Sequence, residues 1–430
     1  MNYTINPQST YSLAHAPAAD PEVVTARISA DLHRQNSLAG AAARRVYTDA
    51  LLAGCGTLDR ARFLDRINSL GASVSVDESD GVFSVSLRAR STLFPRLLTL
   101  ITTMLENPTF SAAEVRRIKR TAENELSEHS ENARARALEL LRGQLFSEAD
   151  RRHCHTPKAL AGAVKAVSRR DLSDLHAQTR AAYWHVSIVG PETARDTLAR
   201  TLMKLKRSDK SGVLTPGAHE PAPAAAHVAL CHLPSKQNIE FSIGGPLPLT
   251  IHHPEYPAFV FGLNVLSLWG GFAGRLMNTV RAQAGYTYMI YGRTEAALGS
   301  ETGYWRIATF FSTDVVLPGL AATAHEISRI HREGITADEH AQFRAIHRTR
   351  RALVADSPQR ILDELHAFHC EGFSPDEIDT YRARFDALER EAVNAALATY
   401  LDPAATYIAG AGPTDHVQKE LTKRYRHGIL

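Results

Sequence analysis

The sequence predicts an α+β fold of two similar domains, each an antiparallel sheet with helices on one face. Three observations lead there. The chain has 430 residues, more than a single domain of about 150 residues accounts for. The stretch Lys206–His227, KRSDKSGVLTPGAHEPAPAAAH, carries three prolines, two glycines and no apolar periodicity, which is linker chemistry. The halves on either side then repeat one series of patterns in the same order, about 222–225 residues apart. The expected domains are residues 23–207 and 227–430, with a linker at 208–226.

In the first half, Asp80–Ser91 (DGVFSVSLRARS) alternates apolar and polar residues as a half-buried strand does. Leu93–Glu106 has the pattern of an apolar helix, and Ser111 with Glu114 has the spacing of a capping box for the next one. The second half answers with a strand over Glu301–Thr313 (ETGYWRIATFFST) and a helix over Leu317–His331. Thr336 and Glu339 then repeat the cap spacing. Later, a helix over Ser168–Ala182 runs into WHVSIVGP, and one over Glu389–Tyr400 runs into ATYIAGAGP. The strand Lys236–Pro246 (KQNIEFSIGGP) has two readings: an edge open to extended peptide, or an internal strand.

Composition narrows the function classes. With 44% hydrophobic and 22% charged residues, the chain is globular rather than disordered, collagen-like or coiled-coil. No run approaches the ~18 apolar residues of a membrane span; Pro257–Leu268 is too short. The first 20 residues lack the basic start and apolar stretch of a secretory signal. A net charge of +3, from 49 basic and 46 acidic residues, is too balanced to indicate nucleic acid or a membrane surface as partner. Arg116–Arg120 and Arg348–Arg351 read as solvated helix faces. Cys55, Cys154, Cys231 and Cys370 are scattered and form no CxxC, so neither a disulfide framework nor a zinc knuckle is expected. The expected compartment is the cytoplasm, with the periplasm as the alternative.

Three longer stretches carry more specific information: Leu51–Val76 (LLAGCGTLDRARFLDRINSLGASVSV), Cys154–Pro191, and Leu268–Gly292 (LWGGFAGRLMNTVRAQAGYTYMIYG). In order and spacing they resemble the pitrilysin/insulinase-type (M16) metallopeptidases, over about residues 23 to 415. That family has an inverted zinc motif, HxxEH, on a helix. Two domains per chain resemble the bacterial processing-peptidase-like branch. The motif works by placing two histidines at i and i+4 on one helix face to hold zinc, with a glutamate to activate the metal-bound water.

In this chain the corresponding stretch reads AARRVYTDALLAG. The first His position falls on Arg45, the Glu on Thr48 and the second His on Asp49. A guanidinium has no lone pair to offer, so Arg45 is no metal ligand. The resemblance implies a third ligand at Glu125, about 76 residues later. A lone carboxylate does not hold zinc, and Glu125 reads as an ordinary helix-face residue. No metal site is therefore expected in this chain. Other histidines offer little. His366 and His369 sit at i, i+3 on one helix, with Cys370 and Glu371 expected to point elsewhere; an unrecognised metal site there is the weaker alternative to core or surface packing. His153–His155 reads as structural, and His325-Glu326 lacks a second His because position 329 is Arg.

The second half keeps what the first has lost. Arg281 and Tyr288, seven residues apart, match the Arg and Tyr of the family's "VREKRGLAYS"-like segment. The resemblance implies that this pair faces the zinc from the half without it and contacts substrate near the scissile bond. Gly270 and Gly271, with Gly274 nearby, are implied to line the substrate path; no GxGxxG or GK[ST] is present, so this is no phosphate loop. The resulting expectation is a non-catalytic subunit of a heterodimeric zinc metallopeptidase. Zinc and an intact HxxEH would lie in a homologous partner, and peptides or unfolded polypeptides would be the substrate. The alternative is a scaffolding subunit of the same fold without proteolytic role, like the respiratory core subunits that resemble this family.

Overall fold

A computed structural model describes residues 3–8, 10–18, 20–32, 36–205, 226–268, 271–295, 301–354 and 357–429. It is α+β, and its residues gather into two compact units, each with its own sheet and core.

The first unit is built on a six-stranded sheet. Its strands are β1 (Thr4–Pro7), β2 (Tyr11–Ala16), β3 (Val23–Asp31), β6 (Ser73–Ser79), β7 (Val82–Arg90) and β8 (Trp184–Val189), in the order β1-β2-β8-β3-β7-β6. A two-stranded ribbon, β4 (Gly54–Cys55) and β5 (Leu58–Asp59), stands apart from it. β6 and β7 form a hairpin across Asp80 and Gly81, whose φ angles of 50° and 82° suit the primed turns that match strand twist. Along β7 the alternation read from the sequence holds: Phe83, Val85, Leu87 and Ala89 are buried in the core. Helices Leu38–Leu51, Phe94–Glu106 and Arg169–Ala181 bury their apolar sides there as well. Ser111 accepts from the Glu114 amide at 3.3 Å, as its spacing predicts, but the Glu114 carboxylate turns to Arg117 at 2.8 Å.

The second unit holds β9 (Val228–His232), β10 (Asn238–Leu247), β11 (Ile290–Glu295), β12 (Gly303–Ser312) and β13 (Tyr407–Gly412), in the order β11-β12-β10-β13-β9. Its core is closed by helices Tyr256–Leu266, Val316–Glu333 and Arg390–Tyr400. Thr336 and Glu339 form the full reciprocal cap, with amide-to-side-chain distances of 2.9 and 3.2 Å. β10 pairs with β12 on one side and β13 on the other. It is an internal strand and has no open edge for a peptide, which settles the two readings of Lys236–Pro246.

Both sheets are mostly antiparallel, but each contains one parallel pair, β2 with β8 and β9 with β13. The units also do not follow the chain halves. The first takes in residues 349–379 from the second half, and the second takes in 127–157 from the first. Helix Pro358–Cys370 packs on β8, β3 and β2. Helix Ala133–Leu145 packs on β13, β10 and β9, with Leu141, Leu145 and Ala137 against Tyr304, Ala409 and Ala411. The expected domains and linker (23–207, 208–226, 227–430) cut the chain in a line, whereas these two helices trade places. The first sheet also takes up β1 and β2, which precede residue 23. Most of the linker lies outside the described residues.

Candidate functional site

The helix Leu38–Leu51 starts at Ser37, whose hydroxyl accepts from the Gly40 amide at 3.1 Å. Ala42, Val46, Tyr47, Ala50 and Leu51 turn inward, leaving Arg45 and Asp49 together on another face, four residues apart. The Arg45 guanidinium is ion-paired with Glu125 of the helix Ala112–Ser130. Glu125 lies on the partly exposed face of that helix, and its partner is supplied by a helix distant in sequence. The Thr48 hydroxyl donates back to the Arg45 carbonyl at 3.3 Å. Burial raises the Asp49 carboxyl above its usual range; Arg45 opposes this and Glu125 adds to it.

These residues do not fit a zinc ion. A guanidinium stands where an imidazole is required, and the implied third ligand is already committed to that guanidinium. Tyr47, between Arg45 and Thr48, points into the core and lies 2.9 Å from His176 Nδ1. Burial holds that imidazole down at about 4. Among the described residues no group of three or more His, Cys, Asp or Glu is gathered as a metal site.

His366 and His369 are buried under the first unit's sheet. His366 lies 2.7 Å from Ser29 Oγ and 2.9 Å from Ser187 Oγ, and His369 lies 2.6 Å from Ser12 Oγ and 3.1 Å from Ser187 Oγ. Their ring nitrogens are thus engaged with serine hydroxyls. Cys370 does not point elsewhere as expected; its sulfur sits 3.3 Å from His366 Nε2, one helical turn away. His153, in the loop before Pro157, lies 3.1 Å from the Phe146 carbonyl, and Glu326 is paired with Arg329 at 2.7 Å.

Arg281 and Tyr288 are brought together. Arg281 lies on a π-helical turn, Met277–Gln283, that buries Met277 and Val280; such turns recur at functional sites. The chain leaves it through Gly285, at φ 68°, whose amide donates to the Arg281 carbonyl at 3.0 Å. Only glycine takes that conformation readily. Thr287 then turns inward and accepts from the Met289 amide at 3.2 Å. Tyr288 is left 67% exposed, just ahead of β11. The Arg281 guanidinium carbon lies 4.9 Å from the Tyr288 ring centroid and 5.0 Å from that of Phe272, both within cation–π range. Among the described residues, neither the guanidinium nor the phenol has a hydrogen-bond or ion-pair partner.

The small-residue segment before this turn is firmly held. The Gly271 amide donates to the Leu268 carbonyl at 3.3 Å; Gly270 lies outside the described residues. Gly274 has φ 113°, and a Cβ there would stand 3.2 Å from the Leu268 amide nitrogen. Arg275 is buried and grips Glu339 with two bonds, at 2.9 and 2.7 Å. Burial works against the Glu339 charge, but the bonds from Arg275 and Thr336 hold its carboxyl below the usual range. Sequence reading passed over Phe272 and Arg275. The available signal was a large apolar ring set among small residues in GGFAG.

Residues 166–346 match the family model described as the peptidase M16 inactive domain. The matched stretch includes Arg281 and Tyr288 and excludes Arg45–Asp49. That stretch of the chain is thus similar to the inactive domain of the M16 peptidases. Among solved structures, the whole chain is similar to a peptidase M16 inactive domain from Pseudomonas fluorescens, with TM-score 0.85 and 20% identity over 96% of this chain and 98% of that one. It is also similar to a protease from Helicobacter pylori, with TM-score 0.82 and 11% identity over 95% and 99% of the two chains. A conserved protein from Enterococcus faecalis follows at TM-score 0.73 and 13% identity over 96% and 97%. At these identities the likeness is one of fold. No curated protein matches the sequence.

Proposed function

We propose that this chain is a non-catalytic subunit of a heterodimeric zinc metallopeptidase, acting on peptides or unfolded polypeptide. Its partner is a homologous chain with an intact HxxEH, and the zinc belongs to that partner. One contrast supports the reading: the zinc-helix positions are tied up in the Arg45–Glu125 ion pair, while Arg281 and Tyr288 stand together with their donors uncommitted among the described residues.

The work of this chain is charge stabilisation. When a peptide carbonyl is attacked, negative charge collects on its oxygen. Arg281 supplies a permanent cation with several N–H donors, and Tyr288 supplies one O–H. Donors fixed before the reaction stabilise that charge without reorganising. Gly271, without a side chain, leaves room for substrate backbone beside the pair. A scaffold has no use for an exposed cation and phenol held together, so this contact favours the peptidase reading.

Copurification from the native source, followed by peptidase assay with and without a chelator, is the decisive experiment. The isolated chain is expected to bind no zinc and cleave nothing, and the heterodimer to show chelator-sensitive activity. Stoichiometric zinc or robust cleavage by the single chain overturns the proposal.

A further inference from the structure

Phe272 is out of place by every criterion of folding. It is 72% exposed, so it adds little to the core, and it stands between residues chosen for smallness, Gly271 and Ala273. Yet the backbone that carries it is fixed on both sides. Gly271 is bonded back to Leu268. Gly274 adopts a conformation that a side chain would strain, and Arg275 is locked into Glu339. A rigid mount for an exposed ring implies that the ring's position matters, and what the ring touches is the Arg281 guanidinium, at 5.0 Å.

We propose that Phe272 is a positioning residue for Arg281, sharing the guanidinium with Tyr288 and fixing the direction of its N–H donors toward a substrate carbonyl. An arginine on a surface turn otherwise samples many rotamers, and ordering it costs free energy at each binding event. Two rings at 4.9 and 5.0 Å remove much of that freedom in advance. A π contact consumes no hydrogen-bond acceptor, so the donors stay available to a ligand. This inference rests on the reading of Arg281 as a transition-state donor.

The test uses the full chain, alone and with its partner. In the isolated chain, the Nε–Hε resonance of Arg281, assigned through Arg281→Lys, reports guanidinium order by NMR. Phe272→Leu keeps bulk but removes the ring; the resonance is expected to shift and its order to fall. Phe272→Trp is expected to preserve both. In the heterodimer, Phe272→Leu should lower kcat about two- to fivefold, the scale of one exposed cation–π contact, and Phe272→Trp should restore it. Unchanged Arg281 order in Phe272→Leu overturns the inference, whatever the activity does. So does unchanged kcat in Phe272→Leu when Arg281→Ala is inactive, and in both cases the proposed function stands. Wild-type activity in Arg281→Ala instead removes the proposed function, and this inference with it.

Discussion

Acid should lift the helix Pro358–Cys370 off the first unit's sheet. The helix is held by His366 and His369, whose rings are buried against Ser12, Ser29 and Ser187. His185 of β8 lies edge-on to His369 at 5.2 Å and within 3.4 Å of Ser12, and the Tyr183 ring meets it edge-on at 5.3 Å. Burial holds His369 down at about 3, His366 well below its usual range, and His185 below it too. The Arg27 cation, bonded to Asp363 at 2.7 Å, and the neighbouring histidines push His366 in the same direction, whereas Asp31 opposes the effect at His185. Glu371 and Asp31 act on the adjacent Cys370 thiol, which burial raises to about 12.

Because the folded imidazoles take up protons only at low pH, the released ones bind more protons as soon as pH drops below about 6.5. Stability is therefore intact above that value and is lost on acidification, by up to about 1.4 kcal/mol per pH unit for each histidine. For His366 and His369 together, this is roughly 2–3 kcal/mol between pH 6 and 5. Hydrogen exchange of peptides spanning the helix, corrected for intrinsic rates, should lose protection by roughly 30- to 150-fold over that interval. The combined variant His366→Asn and His369→Gln, which keeps polar partners for the serines but cannot ionise, should lose less than about fivefold. Protection that is flat in the wild type, or equally steep in the variant, refutes the reasoning.

Other expectations concern the two halves of the proposed site. Tyr288→Phe in the heterodimer should leave assembly intact on size-exclusion chromatography and lower kcat by about 10²–10³, with little change in KM, as for one oxyanion donor; a near-wild-type kcat returns the pair to packing. Arg281→Ala should raise KM as well, since its cation also engages bound substrate. Installing His at 45, Glu at 48 and His at 49 should give at most weak zinc binding by metal analysis and no efficient peptidase, because the groups that orient metal ligands are missing. Breaking the Arg45–Glu125 pair should change stability by no more than about 1 kcal/mol in a double-mutant cycle, since the side chains are 39% and 46% exposed. Gly274→Ala should destabilise the second unit by about 1–3 kcal/mol in thermal or denaturant melts, because φ 113° strains any side chain.

Much of the fold was legible because local physics writes it into the chain. Alternation along Asp80–Ser91 reports a half-buried strand, Thr336 with Glu339 reports a helix start, and both survive as β7 and a complete cap. The loss of HxxEH and the seven-residue step from Arg281 to Tyr288 are likewise matters of residue identity and order. What the pattern cannot report is which element covers which face. Ser12, Ser29 and Ser187 are polar residues on their strands, yet they are roofed by a helix more than 170 residues further on, whose histidines bond them beside its buried Ile361, Leu362 and Leu365. The internal place of β10, the partner of Arg45 and the ring contact of Phe272 are of the same kind. Periodicity fixes that a face is buried or polar; only the folded chain, by closing loops both short and long, decides what meets it.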